Sequence, residues 1–325
     1  MRKGAEHGIS LKSVLVAGFF ALSLVAPAVA EEWTELPYNP PIGSRWIVES
    51  QSDETDNRPD GVRTNQVKSR GELTIEGKTA AGFHVLYVMR DIAIEGNAPS
   101  VPLMKPVLSI LKDLVVDAEI DASGKPVKVD NIDEAKTTMR AFVDRTFKNF
   151  EGAPKFAAVL RPAFDGMLNV EGADAAKIYL QEVSRLAVGQ NTGLKFGETR
   201  QESSVSPNPL GGPSIKMTAT FKIAKVDAKT GAVTYVRDSQ TDPEGMKDFA
   251  LSMMQKLGLD GDKPMPPKVA AMIKEMKFSI DEHDEITVEG GMTRMLREEQ
   301  SMSMSAMGYT LSKKTIDTLS LTPAP

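Results

Sequence analysis

Residues 216–223, KMTATFKI, alternate without a break. Met217, Ala219, Phe221 and Ile223 take one side, and Lys216, Thr218, Thr220 and Lys222 take the other. A period of two belongs to a strand with one buried face and one wet face. Antiparallel sheets carry that pattern, because their strands need not be covered on both sides. The segment turns at DAKTG into a second strand, AVTYVRDSQ. Earlier in the chain, QVKSRGELTIEG and GFHVLYVMRDIAIEG read as a long hairpin that turns at Lys78 to Gly82. LVVDAEIDASGKPVKVD reads as another, with its turn at Ala122 to Lys125. SRWIVESQ is expected to be the first strand, and DETDNRPDGVRTN and NAPSVPLMKP are expected to be loops. The C-terminal strands are expected at KFSID, EITVE, MTRMLREEQSMSMS and YTLSKKTIDTLSLT.

The period then changes. Ala135, Met139, Phe142, Val143 and Phe147 fall on one face of a helix spanning 132–150. Asn131 and Glu134 have the spacing of a capping box at its start. Further helices are expected near 154–168, 173–188, 243–257 and 266–276, with Gly189 and Gly193 at the exit of the 173–188 helix.

Three stretches of the first half match three of the second. IGSRW at 42–46 pairs with FGETR at 196–200, LTIEGKTAAGFHVLYV at 73–88 with FKIAKVDAKTGAVTYV at 221–236, and EIDASGKPVKV at 119–129 with SIDEHDEITVE at 279–289. The order is kept, so a tandem duplication is expected, with halves at 31–188 and 189–325 that form either two units or one continuous domain. The element order, with the IGSRW, FGETR and GKPVKV stretches, resembles the half-barrel of bacterial lipoprotein carriers. It also resembles exported bacterial families that open each half with a G-x-x-W/R strand. The resemblance implies an α+β fold: a curved antiparallel, half-barrel-like sheet in two repeated halves, with helices packed on the concave side over an apolar cavity.

The first 30 residues have the layout of a secretory signal peptide: Arg2, Lys3 and Lys12, then an uncharged apolar run from Val14 to Ala26, then the small-x-small tripeptide Ala28-Val29-Ala30. The run is shorter than the ~20 residues that cross a bilayer. A periplasmic protein that does not span the membrane after signal removal is expected. Removing the leader leaves 36 basic and 43 acidic residues, a formal charge of −7. Phosphate binding needs clustered Lys and Arg, so nucleic acid is excluded as a partner. The chain has no cysteine, so neither disulfides nor thiolate chemistry is available.

Catalytic signatures are mostly refused. Ser109-x-x-Lys112, Ser206-x-Asn208 and Lys229-Thr-Gly231 follow the order of penicillin-binding proteins, but the last reads as a hairpin turn and the spacing is too tight. Asp53 to Gly61 fails as a calcium loop, because loop positions three and twelve are Arg58 and Val67. His84 lies in an apolar strand and reads as a packed or edge histidine. His283 stands among carboxylates in DEHDE, residues 281–285, which the repeat aligns with a plain hairpin turn. The same group, Asp281 to Glu285, is the one stretch that could seed a cation site or an enzyme. No cofactor and no metal site is expected.

The methionines remain. Of 17 in the chain, eleven lie between Met246 and Met307. Met302 and Met304 share a strand face, Met246, Phe249, Met253 and Met254 belong to one helix, and Met272 and Met276 belong to another. Such stripes form ordinary core, or an adaptable wall for an apolar ligand, or a thioether site for copper(I). The function classes that follow are a carrier of a lipid or other amphiphile, then an envelope interaction or scaffold protein without a small ligand, then a copper(I) protein or a hydrolase.

Overall fold

The computed structural model describes residues 37–149, 161–162, 164–166, 168–189, 192–195, 197–206, 215–227, 229–248, 275–306 and 309–325. The expected leader, 1–30, lies outside them, as do Phe249, Met253, Met254 and Met272.

The strands are β1 (Arg45–Arg58), β2 (Gly61–Lys78), β3 (Gly82–Gly96), β4 (Val115–Asp121), β5 (Pro126–Val129), β6 (Thr199–Ser206), β7 (Ile215–Val226), β8 (Val233–Thr241), β9 (Lys277–Glu289), β10 (Met292–Ala306) and β11 (Tyr309–Pro323). They form one eleven-stranded sheet in the order β5-β4-β3-β2-β1-β11-β10-β9-β8-β7-β6. Every pairing is antiparallel. The sheet is curved and does not close; β5 and β6 are its edges.

Among the described residues four α-helices have both ends defined: α1 (Val101–Leu108), α2 (Ile132–Asn149), α3 (Gly172–Tyr179) and α4 (Gln181–Arg185). In each half the third and fourth strands are joined through helical residues: α1 between β3 and β4, and 243–248 between β8 and β9. α2 to α4 stand between β5 and β6, at opposite edges of the sheet. Ten strand spacings of about 4.8 Å separate those edges along the sheet. The connection must therefore traverse one face, which is called the inner face below.

That face holds the main core. Leu73, Ile75, Val85, Val116 and Ala118 from the first half meet Tyr235, Ile286, Leu296 and Leu319 from the second, with Leu180, Val183 and Leu186 of the α4 region between them. Those three are 1% exposed each. Burial of such side chains contributes roughly 1.5–3 kcal/mol apiece. The crossover is fixed by polar contacts as well: Thr293 donates its N–H to Leu186 O at 3.2 Å and its hydroxyl to Val188 O at 2.6 Å. Gly189 follows at φ +89°, where an added Cβ would lie 2.7 Å from Ile286 Cγ2. Glycine meets both demands, the left-handed backbone and the close approach. A second, smaller cluster joins α1 to the far ends of β2 and β3 through Ile94, Val101 and Leu108.

Several expectations change. DETDNRPDGVRTN is not a loop: it is the end of β1, a two-residue turn at Pro59 and Asp60, and the start of β2. Its polar side chains pair across strands instead of alternating with apolar ones, which hides the strand. NAPSVPLMKP is not all loop: it enters α1 at Val101, with Pro102 in the first turn, where a missing N–H is tolerated. The 173–188 helix is broken at Leu180 into α3 and α4. Asn131 does not close a capping box: its side chain accepts from Asp117 N at 2.9 Å and donates to Val115 O at 2.9 Å. KFSID and EITVE are one continuous strand, β9, so DEHDE is not a turn and the third stretch of internal similarity aligns a hairpin with a strand. The actual turn is Gly290 and Gly291, both at positive φ. The first two matched stretches fall on elements of the same kind, strand starts at β1 and β6 and hairpins at β2–β3 and β7–β8.

Candidate functional site

Pairing registers define rows of side chains across the inner face. One row is largely apolar in the second half: Leu319, Leu296, Ile286, Tyr235 and Ile223 on consecutive strands from β11 to β7. The next row, two residues along each strand, is ionic: Asp317, Glu298, Asp284 and Arg237. The row after it is Glu54, Thr315, Gln300, Glu282 and Ser239. Beyond it come Asp56, Lys313, Met302 and Ile280, and then Leu311, Met304 and Phe278. A belt of charge thus crosses the inner face between two apolar zones.

The belt is tightly paired. Arg237 contacts both Asp284, whose side chain is 3% exposed, and Glu282 at 3.3 Å. Ser239 and Gln300 also donate to Glu282, each at 2.8 Å. Lys313 meets Glu54 at 2.8 Å, and Arg58 meets Asp56. From α4, Arg185 pairs with Glu298. Glu182, three residues earlier, accepts hydrogen bonds from Ser50 at 2.8 Å, from Ser69 at 2.6 Å and from Tyr87. Gly71 makes room for that tyrosine, since a Cβ there would collide with the Tyr87 ring. α4 is therefore held to β1, β2 and β3 on one side and to β10 on the other.

Electrostatics follow from burial. Desolvation pushes the Asp284 carboxyl up to about 7, with Glu298 and Glu282 adding to the rise and Arg237 opposing it. Burial also raises Glu298 in spite of Arg185 and Arg237. Burial lowers the Lys313 ammonium against the pull of Glu54, and it raises the Tyr87 phenol, with the Glu182 charge adding to the rise. Asp317 Oδ1 in the belt is shielded from water and receives no hydrogen bond, and the same is true of Asn65 Oδ1 opposite Glu54. A shielded acceptor without a donor costs free energy until a donor arrives.

Of the eight residues singled out from sequence as a pocket, four are described. Met246 and Met276 are buried at 2% and 7% exposure, and Met302 and Met304 are half-buried on the inner face. Met302 stands between Ile280 and Lys313, and Met304 between Phe278 and Leu311, so no thioether or imidazole occupies their register positions on β9 and β11. The 281–285 group is divided by strand alternation. Glu282 and Asp284 belong to the inner belt, while His283 lies on the outer face, with Nδ1 2.7 Å from Asp238. Sequence reasoning missed the belt itself. Its signal was parity: Glu282 and Asp284 continue the inner register of Ile286 and Val288. His84 is also on the outer face, between Glu76 of β2 and Asp117 of β4. Among the described residues, no helix is long and apolar enough to cross a membrane.

No protein-family model matches the chain, and no curated protein matches it. Among solved structures it is similar to a lipovitellin structure concerned with lipid–protein interactions, at TM-score 0.40 and 11% identity, over 88% of this chain and 26% of that one. The chain thus spans about a quarter of that protein. It is similar also to DynF from the dynemicin biosynthesis pathway of Micromonospora chersina, at TM-score 0.17 and 9% identity, over 90% of each chain. An outer membrane channel from Pseudomonas putida matches at TM-score 0.20 and 8% identity, over 92% of this chain and 100% of that one. At these scores the likenesses carry no functional argument.

Proposed function

We propose that this protein, exported with loss of residues 1–30, binds or carries a lipid or another amphiphile in the cell envelope, and that the inner sheet face receives it. The observation that supports this reading is adjacency on one face. The half-buried Met302 and Met304, with Phe278 and Ile280, border the ionic belt directly. An amphiphile asks for an apolar wall with a few polar groups placed beside it. Methionine suits such a wall because its thioether chain adapts to varied apolar shapes. In this reading the buried Met246 and Met276 extend the apolar side. The headgroup meets the belt. The open acceptor at Asp317 Oδ1 favours a headgroup with an N–H or O–H donor. The two repeated halves of the sheet would then form one receptacle, with α2 to α4 laid across it.

The test replaces Met302 and Met304 together with Gln. Capture of a fluorescent fatty acid or lysophospholipid should weaken at least tenfold while circular dichroism and urea midpoint stay near those of the parent. Unchanged capture by a folded variant would overturn the reading.

A further inference from the structure

The outer face of the first half holds a second constellation, independent of the inner face. His84 leaves β3 on the side opposite the buried Phe83 and Val85. Its Nδ1 lies 2.9 Å from Glu76 Oε2. Glu76 is the extra residue of a bulge in β2, between Ile75 opposite Val85 and Gly77 opposite His84. Bulges re-aim side chains, and this one turns a carboxylate toward the ring. In the neutral tautomer that donates Nδ1–H to Glu76, the lone pair of the imidazole is on Nε2. Two further carboxylates face that nitrogen: Asp117 Oδ1 at 2.9 Å and Asp130 Oδ2 at 3.5 Å. Despite the short separation, Asp117 Oδ1 is shielded from water and receives no hydrogen bond. In that tautomer acceptor faces acceptor, an arrangement that a cation between them satisfies.

The frame is stiff. Asp117 is held by its N–H to Asn131 Oδ1 at 2.9 Å and by its carbonyl, which accepts from Asp130 N at 2.7 Å. Lys128 takes the other oxygen of Asp130 at 2.9 Å, leaving Oδ2 turned to the histidine. Glu76, His84 and Asp117 also offer ligand atoms all within 4.8 Å of one another.

From this geometry we infer that His84 Nε2, Asp117 and Asp130 bind a divalent transition-metal ion of the zinc class, with Glu76 as the positioning residue. Asp117 Oδ1 at 2.9 Å and Asp130 Oδ2 at 3.5 Å both lie closer to Nε2 than twice the roughly 2.1 Å of a zinc bond to nitrogen or oxygen, so one ion can reach all three. One imidazole and two carboxylates leave at least one position for water. The carboxylate–histidine–metal relay through Glu76 fixes the tautomer and raises ligand basicity. The site rests on none of the residues of the proposed amphiphile face.

Isothermal titration of the mature protein with zinc chloride at neutral pH tests this. One ion per chain is expected. Affinity should fall by at least tenfold in His84→Ala and in Asp117→Asn, and by ten- to a hundredfold in Glu76→Gln. His283→Ala, remote from the site, should bind as the parent does. No one-site binding, or binding undiminished in folded His84→Ala, would overturn the inference. A nitrogen NMR spectrum adds a readout that needs no variant: Nε2 still protonated with zinc in excess would equally overturn it.

Discussion

Arg185 of α4 forms an ion pair with Glu298 of β10, joining the helical crossover to the second half of the sheet. Glu182, on the same short helix, ties it to the first half through Ser50, Ser69 and Tyr87. Removing one member of a largely buried pair leaves the other charge without compensation. Arg185→Ala should therefore destabilise the protein by about 2–4 kcal/mol, read from urea unfolding. The double replacement Arg185→Met with Glu298→Leu should recover most of that loss, because the stranded charge is gone. A double variant as unstable as Arg185→Ala would show that the pair is not the cause.

Asp284 gives a pH signature. Its carboxyl is raised to about 7 by burial, against an ordinary value near 3.9. Between those values the folded chain keeps a proton that the unfolded chain has released. Stability therefore falls as pH rises through that window and levels off above it. Glu298 is raised in the same direction. Asp284→Asn removes one titrating group while keeping the shape. Its urea midpoint, relative to the parent, should improve from pH 5 to pH 8. A constant difference would contradict the buried, shifted carboxyl.

Gly189 bears on how the crossover sits against β9. Its φ of +89° and its contact with Ile286 both exclude a side chain. Gly189→Ala should lower stability by about 1–3 kcal/mol, as for other backbone positions held in sparsely populated regions. Equal thermal midpoints for variant and parent would show that the chain leaves α4 differently.

Tyr87 links the first half of the sheet to Glu182. Tyr87→Phe keeps the ring against Gly71 and removes only the hydroxyl donor. Loss of one hydrogen bond to a charged group is worth about 1.5–3 kcal/mol. Calorimetry checks this, and a loss below about 0.5 kcal/mol would mean that Ser50 and Ser69 satisfy the carboxylate alone.

The sheet was legible in the sequence wherever one face is apolar. The alternation through β3 and β7 and the turns before β3, β5 and β8 all appear where period and turn chemistry put them. It was illegible where a strand carries charge toward the interior. The ends of β1 and β2 have no apolar parity, and their side chains are satisfied by pairs such as Glu54 with Lys313, which lie far apart in sequence. Strand order explains the rest. β1 pairs with β11, so the neighbours of Asp317 come from both ends of the chain. The His84 constellation needed a bulge at Glu76 and a four-residue β5 to assemble, neither of which has a period to read. The methionines were visible, but composition alone did not set them beside an ionic belt; register did.

The amphiphile reading is tested most directly by a native mass spectrum of the protein, purified without detergent or chelator and incubated with a total lipid extract. A one-to-one adduct of lipid mass, released on denaturation and absent from the Met302→Gln, Met304→Gln variant, is the result expected. A bare chain mass for the parent protein, before and after incubation with the extract, would contradict the account.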